Sequence, residues 1–457
     1  MGETRKLPTF EGVKTRLLED HERPYGTVDR DLPLVIEPAS SPSFEALTGL
    51  LSSRSQAIKE AVYDHGAVLF RGFAVEKARQ FEAAIKSIEG VVPMQRYFMP
   101  EEGRDLVDDT ESVFFTNRYM KTGGSFAFPS FHSENFYTTD VPALQTFWCE
   151  TVPWIGGESG LIHMANGFAD LPPELQAKLE KQPIASRAWT LTEVAAAYRL
   201  PLDRAEAFFR ELGLLQVSPA GDKTVVLHKP TVYRHPHHGK LALQVNVGGE
   251  APTVVSLINK LLVRHYTGPK WALHRYAWKH AFMSELFTTI ERLPAAVRYP
   301  EVVGKLEVDA IKGLAKGVGA RLGLHKRDEA PRRAAAVMMG SSYQPVSGLH
   351  KLSDLLTAED CVSIAKAARK HCSVFTWKQG DIVLFDNLQV WHSGMPGLGP
   401  RSIRVMMCNP IPMHYPFRTG RIDVTFDPTY RSVDERLLAL AAGRPATSAQ
   451  AGSAAAS

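Results

Sequence analysis

The order of strand-like and helical segments constrains the fold of this 457-residue chain more than any other feature. Short apolar segments that end at glycine, proline or polar turns recur over roughly 250 residues, and two long helical stretches interrupt them. A fold built from βαβ units would place a helix after each strand, and this pattern does not. The segments therefore favour a jelly-roll or barrel core, mainly β, with helices added to it.

The helical stretches divide the predicted core into three parts. Helical spacing of apolar residues predicts N-terminal helices at about 44–64 and 76–89, and insertions at about 172–214 and 252–336. Residues 1–440 then form one domain, with a jelly-roll core at about 60–170, 224–250 and 340–412. The tail, 441–457, is mostly Ala, Gly and Ser, which predicts disorder.

Two segments of this core carry turn signals. SVFTWKQGDIVLF, residues 373–385, is predicted to be two strands about a Gln-Gly-Asp turn. Strands predicted at 224–233 and 240–247 flank the turn HPHHGK. Its histidines look like a metal cluster, but their place beside Gly239 in a predicted hairpin favours a solvated turn.

Composition argues against several classes of function. Hydrophobic and charged fractions of 44% and 22% are typical of a soluble globular protein, and a net charge of +4 argues against a dedicated nucleic-acid binder. We predict no membrane span, since no apolar run is long enough, and no secretory signal, since the N-terminus lacks an apolar core. The four cysteines form no CxxC pair, as expected in a reducing cytoplasm.

The stretch FHSENFY, residues 131–137, places His132 and Glu134 two positions apart. In an extended strand, residues two apart project from the same face, so both side chains could reach one metal ion while Ser133 points away. With 16 His and 49 acidic residues, about 1.7 such His-x-acid triplets are expected by chance. The pattern alone therefore does not distinguish a metal site from a surface pair.

A third ligand from elsewhere would complete a set of two histidines and one carboxylate, which leaves positions on the metal open. His392 is the best candidate, because it follows a predicted strand pair and the polar corner Asp386-Asn387. Arg401 and Arg404 come shortly after it. A guanidinium is a planar fork that matches a carboxylate, such as the far carboxylate of a keto acid that chelates the metal.

Five blocks occur in an order that resembles one family, the Fe(II)- and 2-oxoglutarate-dependent oxygenases of the taurine dioxygenase and clavaminate synthase type. Within it, the sequence is most similar to the hydroxylases of syringomycin-type biosynthetic pathways. Five ordered blocks are far more specific than any one of them. They are GAVLFRGF (66–73), FHSENFY (131–137), PALQTFWCETVPWIGGES (142–159), KPTVYRHPHHGKLALQVN (229–246) and WKQGDIVLFDNLQVWHSGMPGLGPRSIRV (377–405).

The resemblance implies a double-stranded β-helix, or jelly-roll, core that holds an iron centre. His132, Glu134 and His392 would be the iron ligands and thus the catalytic residues. Many relatives have Asp where this chain has Glu, and the clavaminate synthase branch also has Glu. Related halogenases have a small residue at that position, so Glu134 argues against halogenation.

The resemblance also implies which residues bind 2-oxoglutarate. Arg401, in its Gly-Pro-Arg context, is the best match for the arginine that pairs with the far carboxylate. Ser159 stands where the family usually has Thr, and its hydroxyl would donate a hydrogen bond to the same carboxylate. Arg404 is a weaker match, for this role or for a second arginine that touches substrate, and the sequence does not choose between the two arginines.

The reaction implied by the resemblance consumes 2-oxoglutarate and O2 at Fe(II) and releases succinate and CO2. It would oxidise, by default hydroxylate, an aliphatic C–H bond of an amino acid or natural-product intermediate, either free or tethered to a carrier protein. Residues 126–130, Tyr137 and the second insertion would line the substrate pocket. A basic tract at 305–333 is a candidate docking surface for an acidic carrier protein, and the oligomeric state stays open.

Other interpretations remain open at this stage. Desaturation or cyclisation would use the same iron ligands. A catalytically silent jelly roll, acting as a binding or regulatory module, would not bind iron. An oxygenase acting on protein or chromatin would carry reader domains or basic tails, which the sequence does not show. Two histidines and a carboxylate also suit zinc, which only metal analysis excludes.

Overall fold

The structure is a computed structural model that describes residues 7–26, 28–95, 106–116, 124–125, 131–134, 138–181, 184–244, 254–279, 355–398, 401–412 and 429–444. Several predictions concern residues outside these ranges: the lining residues 126–130 and Tyr137, the basic tract 305–333, core residues 340–354, and 445–457 of the predicted tail. The second insertion is described only as far as residue 279.

The largest sheet in the described part of the chain has seven strands. Its neighbouring strands are antiparallel except for one parallel pair, the second and third strands in the order below. In spatial order, with labels that follow the chain, they are β1 (Val13–Leu17), β2 (Leu34–Pro38), β3 (Ala67–Phe70), β15 (Ile382–Asp386), β6 (Asp140–Thr151), β18 (Ser402–Pro412) and β4 (Phe114–Phe115).

A smaller sheet faces this one across a shared interior. Its three antiparallel strands are β14 (Cys372–Phe375), β8 (Ser159–His163) and β16 (Val390–Gly394). Phe147, Phe385 and Val405 of the large sheet join Leu161 and Val390 of the small sheet in one buried apolar cluster. Two sheets that share a core in this way form the predicted jelly roll.

Helices cover the outer faces of both sheets. Alternation along β6 directs Leu144 and Trp148 outward, against α1 (Phe44–Ser53), α2 (Ser55–His65) and α3 (Ala78–Lys86). The small sheet is covered by α4 (Met164–Ala169), α8 (Val254–Val263), α9 (Pro269–Lys279) and α10 (Ala358–Lys370). Side-chain caps at Ser43 and Thr357 fix where α1 and α10 begin. None of the helices in the described ranges is long and apolar enough to cross a membrane.

The first insertion differs from its prediction. Residues 172–214 were expected to be helical, and α5 (Pro173–Lys181), α6 (Leu191–Ala197) and α7 (Leu202–Glu211) are helices, but β9 (Ile184–Thr190) is a strand. The sequence Gln182-Pro183 interrupts the helical pattern, because proline lacks the amide hydrogen that a helix needs. β9 pairs with β11 (Lys223–Lys229), whose other neighbour is β10 (Leu215–Val217).

One of the two turn predictions needs correction. β14 and β15 do lie on either side of the predicted Gln-Gly-Asp turn, and because they belong to different sheets, their connection crosses from one sheet to the other. The turn HPHHGK does join a hairpin, β12 (Val232–Arg234) and β13 (Leu241–Leu243). It is not a solvated turn throughout, however, because His235 is buried and its Nε2 lies 2.6 Å from Asp386 Oδ2.

The remaining elements are short or terminal. Two 3-10 turns, Asp20–Glu22 and Pro24–Gly26, follow β1. A rim sheet of β5 (Gly124–Ser125), β17 (Gly397–Leu398) and β7 (Ile155–Gly156) follows the end of β16. The last helix, α11 (Val433–Ala441), packs Val433 and Leu437 against the first insertion.

Candidate metal centre

His132 and His392 lie opposite each other in a short antiparallel bridge. The amide of His132 donates to the carbonyl of His392 at 3.1 Å, and the amide of His392 donates back at 2.9 Å. Their ring centroids are 4.4 Å apart. Phe131 holds the segment from the other side, since its ring fills a space beside Gly160 where a Cβ would come within 2.7 Å of it. The sequence motif thus reaches β16 by backbone pairing.

Glu134 is fixed through its backbone by Asn387. Its amide donates to Asn387 Oδ1 at 2.8 Å, and Asn387 Nδ2 donates to the carbonyls of Glu134 at 3.1 Å and Pro142 at 2.9 Å. The Glu134 carboxylate is itself buried, and its Oε2 accepts a hydrogen bond from Gln145 Nε2 at 2.9 Å. The polar corner after β15 therefore determines where this carboxylate sits.

The three predicted ligands converge on one point. One ligand atom from each of His132, Glu134 and His392 lies within 4.8 Å of the others. His392 Nε2 faces Glu134 Oε2 at 3.7 Å, which is beyond hydrogen-bond distance. His392 Nδ1 is buried and has no hydrogen-bond partner within the described ranges. A metal held between His392 and Glu134 would therefore meet Nε2, the nitrogen on the Glu134 side, and not Nδ1.

Aromatic rings enclose His392 on the interior side. The rings of Phe147 and Phe385 lie 5.2 Å and 5.1 Å from it, centroid to centroid. His392 and Glu134 expose only 5% and 1% of their surface. Two imidazoles and one carboxylate in an apolar cleft are the donor set of non-haem Fe(II) sites with open coordination positions. The residues present therefore fit the predicted metal.

Ser159 lies on the same interior face. In the antiparallel pair of β8 and β16, Leu161 lies opposite His392 and Ser159 lies opposite Gly394. Opposite residues point to the same side of a sheet, so Ser159 and His392 both face the shared core. Ser159 Oγ accepts a hydrogen bond from Trp377 Nε1 at 3.0 Å, and its hydroxyl proton has no acceptor among the residues that the structure describes.

Arg401 places a half-buried cation beside this face. Its Nε donates to the Gly157 carbonyl at 2.9 Å, and a Cβ on Gly394 would lie 3.5 Å from its Nη2. Burial lowers the pKa of Arg401 to about 10, although the charge of Glu158 opposes the shift. No carboxylate in the described part of the chain forms an ion pair with it. A half-buried guanidinium in this state is suited to an incoming anion.

Arg404 points to the other side of the large sheet. Ile403 and Val405, on either side of it, belong to the interior cluster, whereas Arg404 lies over the Phe115 ring at 4.2 Å and pairs with Glu150. The structure therefore brings His132, Glu134, His392, Ser159 and Arg401 together at one end of the jelly roll and does not bring Arg404 there.

Sequence reasoning missed three residues that support this site. Gln145 and Trp377 contact predicted site residues from β6 and from the segment before β15. Neither has a sequence signal beyond its place in a block that resembles the family. Asn387 could have been found, since the Asp386-Asn387 corner was noted as polar.

Comparison with known proteins gives one family match. The family model described as taurine catabolism dioxygenase TauD, TfdA family matches residues 29–266, just over half of the chain. The matched range includes His132, Glu134 and Ser159 and ends before His392 and Arg401. No curated protein matches the chain.

Several solved structures are similar to the chain at low sequence identity. PvcB, an Fe, alpha-ketoglutarate dependent oxygenase from an isonitrile synthetic pathway, is 14% identical, with 89% of this chain and 95% of that chain covered and a TM-score of 0.43. A taurine dioxygenase from Burkholderia xenovorans is 12% identical, with 89% and 93% covered and a TM-score of 0.42. AAD-2 in complex with Mn(II) and N-oxalylglycine is 11% identical, with 87% and 97% covered and a TM-score of 0.40.

Proposed function

The chain belongs to the TauD, TfdA family of dioxygenases, and we propose that this non-haem iron, 2-oxoglutarate-dependent enzyme hydroxylates an aliphatic C–H bond of a small molecule. The proposal rests on one observation: a ligand atom from each of His132, Glu134 and His392 lies within 4.8 Å of the other two. In this proposal, these three residues hold Fe(II), and the bound iron supplies the oxidising power once 2-oxoglutarate and O2 have joined it.

Arg401 and Ser159 are proposed to orient 2-oxoglutarate. Gly394, which lies against the Arg401 guanidinium, is two residues along β16 from His392, so the cation lies close to the metal ligands along the same strand. A keto acid that reaches from the metal to Arg401 would form a charged fork with it and accept a further hydrogen bond from Ser159. The apolar rings of Phe147 and Phe385 would keep water from the reacting groups.

The substrate is proposed to be an amino acid or a related natural-product intermediate, either free or tethered to a carrier protein. This rests on the resemblance to syringomycin-type hydroxylases, and Glu134 supports hydroxylation over halogenation because it occupies the position that a halide would need. Desaturation or cyclisation would require the same ligands. We also propose a cytoplasmic location, which is supported by four cysteines that are all free and buried.

Anaerobic titration with Fe(II) and 2-oxoglutarate tests the proposal. Bidentate chelation of iron by the keto acid gives a weak visible absorption band, which should appear in wild type and disappear in His392→Ala. Arg401→Met should weaken 2-oxoglutarate binding by about tenfold or more, because a charged pair is lost from a buried site. Arg404→Met is the matched control and should change the affinity less than about twofold, the range expected when no contact is lost.

Two outcomes of this titration would contradict the proposal. Folded wild type that takes up Fe(II) but shows no band would contradict the proposal and favour a binding or regulatory module. Preference for zinc, with no keto-acid band, would favour a hydrolytic site. If the band appears, succinate release in the presence of candidate amino acids identifies the substrate.

A further inference from the structure

A partly buried ionic cluster lies beside the predicted 2-oxoglutarate end of the cleft. Lys270 of α9 donates from Nζ to three acceptors: Glu158 Oε2 at 3.0 Å, the Tyr25 hydroxyl at 2.5 Å and the Pro396 carbonyl at 2.7 Å. Tyr25 in turn donates to the other carboxylate oxygen, Oε1, of Glu158. Every ammonium proton and both carboxylate oxygens therefore have partners inside the cluster.

The cluster is joined to Arg401 through one strand segment. Gly157, next to Glu158 in the chain, accepts the hydrogen bond from Arg401 Nε, and its own amide donates to Pro396 O, the carbonyl that Lys270 also contacts. The Glu158 carbonyl accepts from the Met395 amide at 2.8 Å. The Glu158 carboxylate is therefore one residue away from Gly157, whose carbonyl accepts the hydrogen bond that orients Arg401.

The chain at Tyr25 is held in an unusual conformation. Its φ is 69°, in the left-handed region that a tyrosine rarely adopts. Its ring stacks on Tyr266 at 5.8 Å and meets Trp271 edge-on at 5.3 Å, so packing from the second insertion stabilises this conformation. Local strain of this kind persists where surrounding contacts over-determine it, often near functional sites.

The charges of Arg401 and Glu158 indicate what Lys270 does in this cluster. Arg401 is half-buried and forms no ion pair within the described ranges, and the charge of the buried Glu158 carboxylate acts on it. A half-buried guanidinium gains by pairing with a carboxylate that can reach it. Without Lys270, the Glu158 side chain would compete with an incoming carboxylate for Arg401.

We infer that Lys270 is a positioning residue: by holding Glu158 together with Tyr25, it keeps Arg401 available to the far carboxylate of 2-oxoglutarate. This inference rests on the proposed function and deepens it, because it gives the second insertion a role at the cosubstrate end of the site. Lys270 touches neither the metal ligands nor Arg401 directly in the described structure, so its effect passes through Glu158.

Equilibrium binding of 2-oxoglutarate to the anaerobic Fe(II) protein tests the inference without turnover. Lys270→Met removes the ammonium and keeps a side chain of similar length, and it should raise the Kd for 2-oxoglutarate about tenfold. The affinity for Fe(II) should stay within about twofold of wild type, since the metal ligands are untouched. Lys366→Met, an exposed lysine of α10, is the matched control and should bind 2-oxoglutarate like wild type.

A second substitution separates competition from a merely structural role. In Lys270→Met combined with Glu158→Gln, no competing negative charge remains, so the Kd should return to within about twofold of wild type. Glu158→Gln alone should bind 2-oxoglutarate at least as tightly as wild type, which gives a readout even if Lys270→Met fails to fold.

Three outcomes would overturn the inference, and a fourth would contradict the proposed function. An unchanged Kd in folded Lys270→Met would overturn the inference, and so would a weakened Kd that Glu158→Gln does not restore, because that result would mean Lys270 only supports the fold. A Glu158→Gln protein that binds 2-oxoglutarate about tenfold more weakly would likewise overturn it. Wild type that binds no 2-oxoglutarate would instead contradict the proposed function on which the inference rests.

Discussion

Asn387 contributes no ligand atom, yet it determines the position of Glu134 by binding both backbone polar groups of that residue. It accepts from the Glu134 amide and donates to the Glu134 carbonyl, and the same side-chain amide reaches Pro142 on β6. Groups that orient metal ligands commonly affect metal affinity nearly as much as the ligands themselves. The side-chain amide is therefore as much a part of the predicted iron site as the carboxylate it positions.

Replacing Asn387 should weaken metal binding in a way that a general loss of stability does not. Asn387→Ala leaves the amide and carbonyl of Glu134 without their partner, so we expect Fe(II) affinity to fall about tenfold to a hundredfold. Unfolding free energy should fall by about 1–3 kcal/mol, the cost of unsatisfied buried polar groups. Anaerobic Fe(II) titration and urea denaturation measure the two effects.

Asn409 provides a matched control for this prediction. It is also buried, and it binds the Val92 amide at 2.7 Å and the Gly90 carbonyl at 3.1 Å, neither of which belongs to a predicted metal ligand. Asn409→Ala should destabilise the fold at least as much as Asn387→Ala but leave Fe(II) affinity unchanged. Equal losses of affinity in both variants would contradict a specific role for Asn387.

The metal ligands were predictable from sequence because they are chemically distinctive residues in blocks that resemble one family. Gln145 was not, since a glutamine on an interior strand has no pattern of its own, and only folding places its amide 2.9 Å from Glu134 Oε2. The two arginines show the same limit. Residues three apart on a strand face opposite sides, so Arg401 and Arg404 are expected to point in opposite directions. Which of them faces the interior is shown only by the structure, in which Ile403 and Val405 belong to the shared core.

At the scale of elements, the strand-rich core and its helices were predictable because apolar periodicity reflects which faces are buried. Pairing partners were not. β14 and β15 are close in sequence and flank one turn, but they pair with strands of different sheets, β8 and β6. Pairing also explains why the strand β9 lies inside an insertion that was predicted to be helical, since its pairing with β11 outweighs local propensity.

The hairpin of β12 and β13 is tied to the metal end of the core by a buried pair. His235 Nε2 and Asp386 Oδ2 are 2.6 Å apart, and the side chains are 0% and 1% exposed. Asp386 also accepts from the Leu388 amide at 2.9 Å and from Gln389 Nε2 at 3.0 Å. Because Asp386 immediately precedes Asn387, the hairpin helps to hold the corner that positions Glu134.

Breaking this pair should destabilise the protein. His235→Leu leaves Asp386 buried with one fewer partner, and we expect the free energy of unfolding to fall by about 3 kcal/mol. His237→Leu, an exposed residue of the same turn, should change it by less than about 0.5 kcal/mol. Urea denaturation of both variants measures the difference. Similar, small effects in both would mean that the turn behaves as the solvated loop its sequence predicted.

At the scale of the whole molecule, ion pairs connect parts of the chain that are distant in sequence. Glu22 accepts from Arg16 Nη1 at 2.6 Å and from Arg71 Nη1 at 2.5 Å. Arg71 also donates to Asp381 Oδ2 at 2.7 Å, on the segment that leads into β15. The network therefore links the N-terminal strands to the strand that ends at the metal corner. No sequence pattern predicted it, because each of these charges alone resembles a solvated surface residue.

This network should make stability depend on pH in acid. Burial alone would raise the pKa of Glu22, but hydrogen bonds from Arg16 and from the Glu19 amide, together with the charge of Arg71, outweigh it and lower the pKa to about 2. A carboxyl whose pKa is lower in the folded state than its ordinary value of 4.5 stabilises the fold above that ordinary value. The stabilisation is then lost as the pH falls from about 4.5 towards 2.

Comparison of wild type with Glu22→Gln isolates this contribution. At pH 7 the substitution should destabilise the protein, and by pH 3 the difference in unfolding free energy should have shrunk by about 1 kcal/mol, discounted for solvent screening because Arg16 is partly exposed. Glu19→Gln, which alters an exposed carboxylate three residues away, should give a urea-denaturation profile parallel to that of wild type. A Glu22→Gln difference that stays constant from pH 7 to pH 3 would show that the network holds the two halves of the fold together through packing and not through the charge of Glu22.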